Sequence, residues 1–256
     1  MSNLKKGIEL FFHVGARGPL GGFLFSHFAE NRKFFDKAGV FFPDPVGARK
    51  VIKKSMAASI PPLRLSPTDF QICDSADLAV ISNEHFFAAP SNILRNGELY
   101  VQAEKKAAQL SNSLADFNVT LIFEIAPIPL FLKRVQYGEL RASMERLSGD
   151  ILFNLSWFEL ITGVLTAFPK CRVFVLDGSP TSYQLYDLLS EIAPLPPVQE
   201  KYAEVLRQVV RDTVSAPLEK IHLEWKDQGN DPCEILMNQY HSDLKKLSRT
   251  NRVQVF

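Results

Sequence analysis

Short apolar runs alternate with longer segments of helical periodicity along most of this chain. Ile8 to Val14 is nearly all apolar and ends at Gly15, the pattern of a strand buried on both faces. Leu20 to Ala38 follows as a helix, with Leu20, Phe23, Leu24, His27, Phe28, Phe34 and Phe35 at helical spacing and Gly39 placed as its C-terminal cap. Val40-Phe41-Phe42 predicts a second strand, closed by Pro43-Asp44-Pro45. A helix carrying Arg49, Lys50, Lys53 and Lys54 comes next, then a proline-containing connector from Pro61 to Pro67. Leu78 to Ser82 predicts a third strand. Glu98 to Phe117 predicts a helix, because Leu99, Ala103, Ala107, Leu110, Leu114 and Phe117 fall on one face. Val119 to Phe123 predicts a fourth strand with three β-branched residues, and Pro127 and Pro129 mark its exit.

The second half continues the alternation. Mostly helical sequence runs from Leu130 to Phe168, and Arg172 to Leu176 predicts a fifth strand. Thr181 and Gln184 have capping-box spacing for a helix reaching about Ile192. Pro194, Pro196 and Pro197 form a turn or a boundary. Tyr202, Val205, Leu206, Val209 and Val210 then mark an amphipathic helix. Asp231-Pro232-Cys233-Glu234 combines an N-cap, a proline at the first helical position and a glutamate three residues on. Arg252 to Phe256 predicts a short edge strand. Strands separated by helices mean an α/β fold: a parallel sheet of about five strands flanked by helices, with a helical C-terminal layer over about 198–256. One domain spanning residues 1–256 is the simplest division. Ligands of such sheets bind beyond the carboxyl ends of the strands. The loops after Val14, Ser82, Phe123 and Leu176 therefore share one rim.

Composition narrows the partners. The net charge of +1 gives no global field for nucleic acid or an anionic membrane, so any anion site is local. Three widely spaced cysteines, Cys73, Cys171 and Cys233, fit reduced thiols better than a disulfide framework. The opening Met-Ser-Asn-Leu-Lys-Lys leads into too short an apolar run for a signal peptide. No apolar stretch approaches the ~20 residues of a membrane helix. A soluble, cytoplasmic protein is expected. No zinc-ligand spacing, nucleophile elbow or calcium loop is present, so no metal is expected.

The glycines between the first strand and first helix are the main candidate chemistry. Gly15, Gly18, Gly21 and Gly22 in a strand–loop–helix context read as a nest of backbone N–H groups for an anion, or as glycines that admit close packing. Arg17 is a fork-shaped partner for phosphate or sulfate, or a solvated loop arginine. Glu84 and His85 follow the third strand on the ligand rim, where either can serve as a base toward a hydroxyl. Ser82 and Asn83 touch a ligand or cap the next helix. His13, at the end of a buried strand, reads more simply as a core histidine.

Several stretches resemble the bacterial sulfotransferase-like proteins of the P-loop superfamily. His13-Val14-Gly15 is similar to that family's His-Ile-Gly at the end of strand one. Asn31-Arg32, Ala38-Gly39-Val40 and Pro43 are similar to its exit from the first helix. Ile81 to Phe86 is similar to its Ser-Ser-Glu segment, and Trp157 to Phe168 followed by Arg172 to Leu176 is similar to a later helix–strand unit. The resemblance implies a P-loop fold and transfer of a sulfuryl group from the cofactor PAPS to a hydroxyl on a small-molecule, glycan or lipid acceptor. It also implies Glu84 or His85 as catalytic residues, and Gly15, Arg17, Gly18, Gly21, Gly22 and Ser82 as the cofactor site.

Departures from the family lie at that site. Its Lys-Thr-Gly-Thr-Thr is replaced by Gly18-Pro19-Leu20-Gly21-Gly22, with Arg17 one place earlier. Its arginine after the fourth strand is replaced by Glu124-Ile125-Ala126. Each lost charge-assisted hydrogen bond costs roughly 1.5–3 kcal/mol. Three functions remain open: an active sulfotransferase, a non-catalytic protein of the same fold with an eroded cofactor site that binds a glycan or a protein partner, or a P-loop-type enzyme using another anionic donor.

Overall fold

Six parallel strands form the centre of the fold. In chain order the strands are β1 (Glu9–Gly15), β2 (Val40–Phe41), β3 (Leu78–Ser82), β4 (Leu94–Arg95), β5 (Glu98–Leu99), β6 (Asn118–Ile125), β7 (Arg172–Asp177) and β8 (Val253–Val255). The helices are α1 (Leu20–Glu30), α2 (Arg32–Lys37), α3 (Pro45–Ala57), α4 (Ala103–Ser113), α5 (Trp157–Ala167), α6 (Ser182–Ile192) and α7 (Pro232–Leu247). The computed structural model describes residues 7–15, 20–57, 63–72, 75–88, 92–95, 98–128, 130–131, 155–177, 182–194 and 232–256. The helix predicted over 202–210 and all of residues 132–154 lie outside these residues.

The sheet order is β2-β3-β1-β6-β7-β8, and β4 and β5 pair separately as a small antiparallel hairpin. Every pairing within the large sheet is parallel. Alternate residues of each strand face opposite sides. On one side Phe11, Val80, Ile122 and Phe174 pack against α1, α2 and α6. On the other, Leu10, Phe12, Ala79, Leu121 and Val173 pack against α3, α4, α5 and α7. Central strands that bury both faces need apolar side chains in both phases, which explains their continuous apolar runs.

Two predicted helices differ in detail. The helix expected from Leu20 to Ala38 breaks at Asn31 into α1 and α2. The Asn31 side-chain amide donates to the His27 carbonyl at 2.9 Å, a local bond that competes with continued helix. The helix expected from Glu98 begins at Ala103, because Glu98 and Leu99 pair with Arg95 and Leu94. The sequence carries the sign of this hairpin: Asn96-Gly97 between two short strands is the commonest hairpin dipeptide. The expected C-terminal edge strand is β8, the sixth strand, paired parallel to β7.

Candidate functional site

The strand order places the candidate ligand position at the carboxyl end of β1. From β1 the chain exits to the α1 face, while β3 leads to α4 and β6 leads through Ile128 and Phe131 onto the opposite face. Adjacent strands whose exits diverge leave a gap above their ends, the usual ligand position in an open α/β sheet.

On the α1 side the floor of this gap is polar, with His13 and Glu124 buried and Ser82 half-buried. His13, Ser82 and Glu124 occupy the strand positions that follow Phe11, Val80 and Ile122 in the α1-facing phase. His13 and Ser82 are register partners, and His13 Nδ1 lies 3.0 Å from Ser82 Oγ. His13 is fully buried, and desolvation lowers its pKa to about 4, so the ring is neutral near physiological pH. Its Nε2 has no hydrogen-bond partner among the described residues. Gly21 sits directly over the ring, where a β-carbon would stand 3.2 Å from His13 Cε1 and 3.5 Å from Ser82 Oγ. Gly21 therefore admits close packing of α1 on the sheet. Gly22 faces open space.

The first turn of α1 already holds a carboxylate. The Leu20 backbone N–H donates to Glu124 Oε2 at 3.0 Å, and Glu124 is only 1% exposed. Free N–H groups and the positive end of the dipole make a helix N-terminus attractive to anions, and here an internal side chain takes one of those N–H groups. Glu124 stands at the end of the strand after which the resembled family has its arginine.

On the other side of β1 a tight turn follows β3. The Asn83 N–H donates to the His13 carbonyl at 2.8 Å, and the Phe86 N–H donates to the Asn83 carbonyl at 2.9 Å. No helix begins here, so Ser82 and Asn83 cap none. Lys106 on α4 donates to the carbonyls of Phe86 and Phe87 at 3.2 and 2.8 Å and pins the turn. Glu84 and His85 are half-buried on the rim with Glu84 Oε1 3.3 Å from His85 Nε2. Gly15 has φ +134°, and a β-carbon there would stand 2.9 Å from the Glu84 carbonyl oxygen. Glycine is needed at this point for conformation and for space.

Tyr100, at the end of the hairpin, completes this side. Its ring is buried beside Phe131 and Trp157. Its hydroxyl lies 3.6 Å from the place a Gly15 β-carbon would occupy and has no hydrogen-bond partner among the described residues. Burial and the nearby Glu84 carboxylate raise its pKa, so the phenol keeps its proton. Further along the rim, the Tyr240 hydroxyl donates to Asp177 Oδ1 at 2.8 Å and ties α7 to the end of β7.

Five of the expected site residues, Gly15, Gly21, Ser82, Glu84 and His85, thus surround the end of β1. Gly22 is on α1 but turned to open space, and Arg17 and Gly18 lie outside the described residues. Sequence reasoning missed Glu124 as a helix cap and Tyr100 altogether. Among the described residues no group of three or more His, Cys, Asp or Glu side chains is placed to hold a metal. Nor is any described helix long and apolar enough to cross a membrane. No family model, curated protein or solved structure matches the chain. Chemically, the rim offers a carboxylate–imidazole pair that can accept a hydroxyl proton, a neutral buried imidazole and a protonated phenol.

Proposed function

We propose that this chain is a non-catalytic, sulfotransferase-like binding protein of the cytoplasm. Its crevice takes a hydroxyl-bearing small molecule, glycan or lipid headgroup, and its PAPS site is closed. The bond from Leu20 N–H to Glu124 Oε2 carries this reading. A phosphate seated on the first turn of α1 would have to displace a buried carboxylate and bear its charge nearby. Breaking a charge-assisted hydrogen bond of this kind costs roughly 1.5–3 kcal/mol before any repulsion is counted.

A second reading, an active sulfotransferase, is favoured by the Glu84–His85 pair, whose 3.3 Å contact suits a base acting on an acceptor hydroxyl. In that reading Arg17 and the loop amides bind PAPS. Calorimetry with 3′-phosphoadenosine 5′-phosphate separates the two. The binding-protein reading expects no heat from the wild type even at millimolar nucleotide, and measurable binding in Glu124→Gln, which keeps an acceptor for Leu20 but removes the charge. Micromolar binding by the wild type that disappears in Arg17→Ala would establish the sulfotransferase instead.

A further inference from the structure

Tyr100 combines two features that folding ordinarily avoids. Its hydroxyl is buried and has no partner among the described residues, whereas the large majority of buried polar side-chain atoms are paired. Its backbone has φ +50°, uncommon for a bulky residue without a glycine's freedom. The backbone is held on both sides: Tyr100 N–H donates to the Ile93 carbonyl, and Ala103 N–H donates to the Tyr100 carbonyl, each at 2.6 Å. The hairpin and the start of α4 therefore force the ring into this position. Strain of this kind clusters at ligand sites.

The neighbourhood defines what the hydroxyl meets. Gly15 leaves the space beside it free of a side chain, and the partly exposed Glu84 carboxylate is close enough to raise the phenol's pKa. The Tyr100 phenol is a proton donor and the Glu84 carboxylate an acceptor. An alcohol satisfies both with a single oxygen. Phosphate or sulfate meets repulsion from Glu84, and an ammonium group has nothing with which to accept from Tyr100.

We propose that Tyr100 is a ligand-binding residue, whose hydroxyl donates to the oxygen of a ligand alcohol group while that group's own proton is donated to Glu84. The assignment rests on the reading of the crevice as a site for hydroxyl-bearing ligands. It names the residue that orients the hydroxyl.

The test uses the full chain labelled at the tyrosine ring carbon that bears the hydroxyl. The Tyr100 resonance is identified by its absence from Tyr100→Phe. Glycerol and D-glucose are the probes, with inorganic sulfate as the anionic comparison. Either polyol is expected to shift the Tyr100 resonance saturably, while sulfate leaves it in place. Tyr100→Phe and Glu84→Gln should each weaken polyol binding by about tenfold, the effect of one hydrogen bond of ordinary strength. In the ligand-free protein Tyr100→Phe should leave the melting temperature unchanged or raise it, because the lost hydroxyl had no partner. A fall of more than about 2–4 °C shows a structural role and overturns the assignment. Polyol binding that survives in Tyr100→Phe overturns the role of Tyr100 but leaves the hydroxyl site standing. No saturable shift with either polyol overturns both.

Discussion

Three glycines at the start of the fold look alike in sequence and do different work. Gly15 combines φ +134° with a β-carbon position 2.9 Å from a backbone oxygen that cannot turn aside. Gly21 lies in the helix, but a β-carbon would press on the buried His13 ring at 3.2 Å. Gly22 has nothing within 4 Å of its β-carbon position. Alanine at the three positions should therefore give a graded series. Gly15→Ala is expected to cost at least the ~1–3 kcal/mol of backbone strain, with the clash against Glu84 added. Gly21→Ala should cost less, because a side chain can shift where a backbone cannot. Gly22→Ala should be neutral or stabilising by up to about 1 kcal/mol, the helix preference of alanine over glycine. Urea unfolding of the three variants checks the order. Equal losses at all three would mean that the glycines matter for a shared loop flexibility rather than for these separate contacts.

At the scale of elements, α5 and α7 are joined through one acid. Asp243 on α7 is buried, and its Oδ2 accepts from the Trp157 N–H at 2.8 Å and the Ser156 hydroxyl at 3.0 Å. A carboxylate at the first turn of α5 also meets the positive end of that helix. Asp243→Ala leaves these donors unpaired and should cost roughly 1.5–3 kcal/mol, with Asp243→Asn costing less because an acceptor remains. Hydrogen exchange should show α5 and α7 losing protection together. Loss confined to α7 would mean that the acid serves its own helix alone. This coupling illustrates what sequence can and cannot convey. Apolar runs such as Leu78 to Ser82 and Val119 to Phe123 announce strands because burial on both faces leaves no polar phase. Their stopping points locate Gly15, Ser82 and Glu84 on the rim. Leu99 fits the spacing of the helix that follows it, which disguises a hairpin as a helical turn. Asp243 and Glu124 read as ordinary acids, because their partners lie 86 and 104 residues away and only the packed fold brings them together. Tyr100 gives no sign, since its strain resides in a backbone angle.

The whole molecule carries a built-in sensitivity to acid on the α1 side of the sheet. His13 lies beneath α1, and His27 lies on it among the rings of Phe23, Phe28 and Phe35, with centroids 5.8, 5.2 and 5.1 Å away. Burial lowers both pKa values from 6.5 to about 4. The unfolded chain therefore binds protons at these histidines before the folded chain does, and stability falls as pH drops from 6.5 to about 4. Above that window both states are neutral at these sites and the full stability is present. Shifts of this size correspond to roughly 3 kcal/mol for each histidine, and two of them are comparable with the ~5–15 kcal/mol that keeps a domain folded. The expected result is a steep loss of unfolding free energy on acidification, beginning well above the range in which exposed carboxylates titrate. His27→Leu fills a similar apolar site without a titrating group, so it should remove about half of that loss. The quantity to compare is the drop between neutral and acid pH in each protein. Any packing cost of the leucine enters at both pH values and cancels from it. A wild type as stable near pH 4 as at neutrality would mean that the imidazoles reach water or an acceptor once charged. α1 would then be able to lift from the sheet without unfolding it.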